Sequence, residues 1–252
     1  MDRLEQAYVA SPLLFWLLAS VLAYGVGTNL FWQVRSRDVR LVPGFDLLVQ
    51  AARFLFYLGV PYLALGGWPR DSFQGLLSLK DMGFVGLSFD WPVTRWLEAV
   101  ALGLGLGLAA LILLVIAWRY AVRGSEGVPL VFAPQPWWAL LVDGLYYGVH
   151  WAFYRGAIAV LRDDVYAGVF LGLALVYLEW SLSPIWRQGW RTSSRAAGQW
   201  LRAALALVAA LSFLLTRNLW VCLGVHWGLE LTFWYLGRAG TRSAEPRDSQ
   251  AL

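Results

Sequence analysis

The sequence predicts an all-α fold, a polytopic transmembrane bundle of about seven helices. Three observations predict it. Hydrophobic residues make up 59% of the 252 positions against 14% charged, which leaves too little polar surface for a water-soluble globule. Several apolar runs reach the roughly 20 residues needed to cross a hydrocarbon core of about 30 Å. The basic residues gather in every other connection between those runs, as expected where positive charge is kept on one side of a membrane.

Hydropathy places the helices at about 11–33, 45–66, 92–118, 137–160, 165–186, 197–216 and 219–237. The first run, Pro12 to Trp32, is too long for a signal-peptide core and lacks a small-residue cleavage site after it, so it reads as a retained span. One set of connections holds Arg35, Arg37 and Arg40, then Arg119 and Arg123, then Arg187, Arg191 and Arg195, and last Arg238, Arg242 and Arg247. The opposite set is poorer in base and contains Asp71, Asp81, Asp90, Asp163 and Asp164. This asymmetry predicts a multi-pass protein of the cell membrane with its N-terminus outside and its C-terminus cytoplasmic.

The expected organisation is one bundle over residues 1–239, with a short interfacial or loop segment at about 71–90 and a disordered cytoplasmic tail at 240–252. Asp90 and Pro92 suit a helix start. Gly103, Gly105 and Gly107 would let a neighbouring helix approach the third span closely. Sixteen Trp and eleven Tyr fit two membrane interfaces. A single cysteine, Cys222, excludes an intrachain disulfide framework and a Cys-based zinc site. A formal charge of +4 is spread between apolar segments rather than clustered, so nucleic acid is not expected as a partner.

Ionisable groups within spans are costly and tend to face the bundle interior. Arg53 and Glu98 lie near helix ends, where long side chains reach the interface. The second half of the chain differs, with Asp143, His150 and Arg155 on helix four, Glu179 on helix five, and His226 and Glu230 on helix seven. Asp143, Tyr147, His150 and Tyr154 share one stripe, and His226 and Glu230 fall one turn apart. Meeting at mid-membrane, His150, Glu179 and His226 would suit a divalent metal such as zinc, or a general base acting on water. A hydrogen-bonded cluster that fixes packing accounts for the same residues equally well, and Arg155 has Glu230, Asp163 and Asp164 as candidate partners.

Leu215-Thr216-Arg217-Asn218-Leu219-Trp220, followed by His226-Trp227-Gly228-Leu229-Glu230, and Phe153-Tyr154-Arg155-Gly156 upstream, resemble motifs of the CAAX-protease and bacteriocin-processing family of intramembrane proteases. That family carries Glu-Glu-x-x-x-Arg on one helix, Phe-x-x-x-His on the next, and His-x-x-x-Asn or Asp near the end. The resemblance covers about residues 137–236. It departs at the paired glutamates, replaced here by His150 and Trp151, at the second motif, where Glu179 and Ser183 stand at the Phe and His positions, and at Glu230, where Asn or Asp is usual.

The resemblance implies a membrane endopeptidase in which the first glutamate activates water. Its loss leaves two outcomes. In one, His150 and Glu179 have exchanged residue types and an active metallo- or glutamate-type site persists, with His226 polarising the scissile carbonyl and Arg155 holding a carboxylate or oxyanion. In the other, hydrolysis is lost and a binding or scaffold subunit remains. The second is the expected reading, with membrane lipids, another membrane protein, or a lipidated or hydrophobic peptide as partner. A small transporter or assembly subunit is the remaining class, although no paired broken helices mark an inverted repeat.

Overall fold

The computed structural model describes residues 3–36, 44–66, 77–84, 91–123, 135–191 and 193–243. Among these residues the chain forms eight helices and no strand. They are α1 (Arg3–Ser36), α2 (Phe45–Leu65), α3 (Val93–Arg123), α4 (Trp137–Arg162), α5 (Val165–Leu182), α6 (Pro184–Trp190), α7 (Ser193–Thr216) and α8 (Leu219–Ser243). Five of them, α1, α2, α3, α5 and α7, are long and apolar enough to cross a membrane. Helices α4 and α8 run for 26 and 25 residues and carry all of the ionisable candidates except Glu179, which is on α5.

The outer faces are apolar. Leu14, Leu18, Leu22, Val26 and Leu30 form an exposed stripe on α1, and Leu97, Leu104, Leu108 and Ile112 are exposed on α3. A monomer in water does not leave apolar surface of that extent uncovered. The chain is a helical membrane protein.

Each of the seven expected spans is a helix, with corrected ends. The fifth stops at Leu182 instead of running to 186, because Pro184 disfavours helical geometry at Ser183. Ser183 is extended (φ −78°, ψ 123°) and caps the short α6, its hydroxyl accepting from the Trp186 N–H at 3.5 Å. At the far end, α8 continues to Ser243, so residues 240–243 of the polar tail are helical; residues 244–252 lie outside the described residues. Helix α2 includes one π turn, Leu55–Gly59.

Of the segment 71–90, residues 77–84 are described, and they form a turn inserted into the bundle, with Leu77 and Met82 buried. The Asp81 carboxylate accepts from the Ser78 N–H and hydroxyl at 2.8 and 2.7 Å. Gly83 has φ +86°, which side chains rarely adopt, and its carbonyl accepts from Leu219 N–H at 2.9 Å. This bond ties the turn to the link between α7 and α8. The remaining positions, 71–76 and 85–90, lie outside the described residues.

Short links make α4 and α5, and α7 and α8, antiparallel neighbours. Between α7 and α8, Arg217 takes a left-handed conformation (φ 53°). Asn218 then caps α8, its side-chain carbonyl accepting from Trp220 N–H at 2.9 Å and Val221 N–H at 3.3 Å. Asn218→Ala is expected to cost about 1–2 kcal/mol, the range for a lost N-cap, and Asn218→Asp to keep most of it. Unfolding midpoints in mild detergent would check this.

Helix α4 is central, packing on α5, α8, α2 and α1, while α3 covers α7 and α8. Gly103 and Gly107 of α3 face Val221 and Val225 of α8, and a Cβ on Gly107 would lie 3.3 Å from Val225. Gly105 faces open space. The glycine run thus does serve close packing, through two of its three members.

Candidate functional site: two histidine–glutamate pairs and a half-open cavity

The stripe expected on α4 is formed, and each member meets the α1–α2–α5 side of the bundle. His150 Nε2 lies 3.2 Å from both carboxylate oxygens of Glu179 on α5. Tyr154, one turn further along α4, donates its hydroxyl to the same carboxylate and lies 2.9 Å from the Ser20 hydroxyl of α1. The rings of Phe56, Tyr57 and Tyr154 pack around the His150 imidazole at centroid distances of 4.7, 5.3 and 4.6 Å. His150 and Glu179 are 0% and 2% exposed, so this pair is sealed from both lipid and water.

The second pair is within α8. His226 Nε2 lies 3.5 Å from Glu230 Oε1, at the limit of hydrogen bonding, and Glu230 Oε2 has no protein partner. Trp151, the neighbour of His150 in the chain, sets its ring edge to face against His226 at 5.6 Å and also packs on Trp180. His226 and Glu230 line a half-open cavity of ≈ 750 Å³ that His150 and Glu179 do not reach.

Helix α1 gives this cavity Tyr24 and Gly27, α2 gives Arg53 and Tyr57, and α7 gives Gln199 and Arg202. Its wall is mostly apolar and aromatic, the usual character of a site for a small organic molecule or chain. Helix α2 makes no substantial contact with α7 or α8 among the described residues, although both sides line the same space. The cavity thus lies between α2 on one side and α7 and α8 on the other.

Arg53 is not held at a helix end by solvent alone. Its guanidinium pairs with Asp143 of α4 at 2.5 Å, and both side chains are partly exposed, which joins α2 to α4 at one margin of the cavity. Glu98 is exposed, as its place near the start of α3 predicts. Arg155 pairs with none of Glu230, Asp163 and Asp164; it lies against the face of Phe213, its Cζ 3.4 Å from the ring centroid.

The five expected residues thus fall into two pairs and one separate cation. Zinc needs three or four donors around one centre, and among the described residues no three His, Cys, Asp or Glu side chains gather that way. The expected set His150, Glu179 and His226 is divided between the pairs, and the residues present do not fit a metal. Ser20, Tyr57 and the Arg53–Asp143 pair were missed by sequence reasoning. A signal existed for the last, because an acid and a base buried in different spans tend to meet.

No family model matches the chain, and no curated protein or solved structure matches it.

Proposed function

We propose that the chain is a CAAX-protease-like membrane protein with an altered, non-proteolytic site, and that it binds a lipid or hydrophobic peptide in the cavity beside α8. The observation that carries the reading is the ≈ 750 Å³ space open between helices, with apolar walls and a few polar groups. The sealed His150–Glu179 pair supports lost hydrolysis: the carboxylate accepts from Tyr154, contacts His150 and does not line the large cavity where a substrate would enter. Charge asymmetry supports an orientation with the C-terminus cytoplasmic.

Purification followed by solvent extraction and mass spectrometry tests this. The protein is expected to retain an apolar molecule through detergent exchange, and Gly27→Trp to lose it. Gly27 lines the cavity, and a Cβ there meets nothing within 4 Å, so the added ring enters the space without disturbing α1. Absence of a retained molecule, or equal retention by both proteins, would refute the binding role.

One observation favours an active endopeptidase instead. His226 and Glu230 stand on the cavity wall one turn apart, an imidazole beside a carboxylate, the residue types that serve as general base. Turnover of a membrane-soluble fluorogenic peptide that disappears in His226→Ala would replace the non-proteolytic reading with this one.

A further inference from the structure

The formal charges on the wall of the large cavity come from Arg53, Arg202 and Glu230, and they are not equivalent. Arg53 is matched by Asp143, which stands at the margin of the cavity and not on its wall. Glu230 is 5% exposed and set against His226, so it presents little of its carboxylate to the space. Arg202 is exposed, and among the described residues it forms no ion pair and no side-chain hydrogen bond. The one charge that the wall offers to an occupant without a counter-ion of its own is therefore positive.

Its place in the sequence makes that charge costly. Arg202 lies about two turns into the apolar run Arg195–Thr216 of α7, and a cation within a span either pairs, reaches for the interface or marks a ligand path. The rest of the wall, including Phe56, Val60, Trp151, Trp180 and Leu205, is apolar or aromatic. A volume of ≈ 750 Å³ falls among the roughly 300–1,000 Å³ of sites for single small molecules. An occupant that satisfies both features has one apolar chain and one compact anionic head. A guanidinium fork suits an oxyanion, whether carboxylate or phosphate, because two of its N–H groups can be accepted side by side.

We propose that the large cavity takes a single-chain amphiphile with an oxyanion head, and that Arg202 selects the head. This rests on the binding role proposed above and narrows its ligand to an acidic lipid. The sign of the wall excludes an amine head, which would meet Arg202 and Arg53. A neutral head would leave the Arg202 charge without compensation.

The test offers the full chain in detergent four probes that share one saturated chain: hexadecanoate, hexadecyl phosphate, hexadecanol and hexadecylamine, in competition and at a pH where both acids are ionised. Mass spectrometry after gel filtration measures what is retained. Both acids are expected to exceed the alcohol roughly tenfold or more, the factor that one charge-assisted hydrogen bond supplies, and the ratio between them names the head. Arg202→Gln is expected to remove that preference, and Arg202→Glu to turn it toward the amine. Arg202 is exposed, so neither change disturbs packing. Gly27→Trp separates this proposal from the one beneath it. Retention of no probe by the parent, or of every probe by Gly27→Trp, would end the binding role and this assignment together. Probes that Gly27→Trp excludes but the parent holds alike whatever their head, or a preference for acids that survives Arg202→Gln, would overturn the head-group assignment alone and leave Arg202 as a side chain that reaches for the interface.

Discussion

Leucine at position 150 is expected to destabilise the bundle by about 2–3 kcal/mol, the upper part of the range for leaving a buried polar group without its partner. The substitution takes away the imidazole that contacts both oxygens of Glu179 and leaves the carboxylate, 2% exposed, with Tyr154 as its remaining hydrogen-bond donor. The second arm separates this cause from a general packing defect. Replacing Glu179 as well, in His150→Leu/Glu179→Leu, removes the stranded polar group, and most of the lost stability should return. Unfolding of the single and double variants in mixed micelles measures both. Equal destabilisation in the two would show that the imidazole acts through its shape and not through its partner.

The second large effect lies one face further round the same helix pair. Helix α5 crosses α4 on Gly168 and Gly172. A Cβ at Gly168 would stand 2.7 Å from the Arg155 carbonyl oxygen and 2.7 Å from Ala159 Cβ, and one at Gly172 would stand 3.1 Å from Arg155 N and Cα. Backbone is what it meets, and backbone cannot rotate away. Even Gly168→Ala is therefore expected to cost about 3 kcal/mol, the upper part of the usual range for overpacking. Gly105→Ala and Gly228→Ala, where nothing lies within 4 Å, supply the contrast. They should be neutral or gain up to about 1 kcal/mol, because alanine restricts the unfolded chain and favours helix. Thermal midpoints of the three variants would decide.

The helices were legible because the bilayer imposes their length and polarity, and that constraint acts on each segment without reference to the others. The break at Ser183 was legible too, in the Ser183-Pro184 pair, but hydropathy alone carried the apolar run past it. Residues 77–84 were harder. Their glycine and polar content suggests a surface, whereas Gly156 on α4, where a Cβ would stand 3.0 Å from the Asp81 carbonyl, leaves room for the turn to enter the bundle. No local pattern announces that.

Within the candidate site, spacing along a helix was reliable and association between helices was not. The stripe from Asp143 to Tyr154 and the turn from His226 to Glu230 follow directly from 3.6 residues per turn. Which pair meets which depends on helix rotation, and that is set by distant contacts such as Gly148 against Leu223 and Gly144 against Trp227. These place Trp151, not His150, against His226. The same contacts leave Arg155 facing Phe213 and Cys222 rather than an acid. The spacing of Gly144 with Gly148, and of Gly168 with Gly172, is a small-residue pattern visible in the sequence that points to those two seams.

The gap that separates α2 from α7 and α8 sets the terms on which the large cavity can be filled. On the proposed binding role, a guest entering from the leaflet would never have to leave oil for water, and its supply would follow its mole fraction among the surrounding lipids. Abundant acyl chains would then be standing competitors for the same space, and a rarer molecule would displace them only through the polar groups on the walls, Arg53, Arg202 and the His226–Glu230 pair.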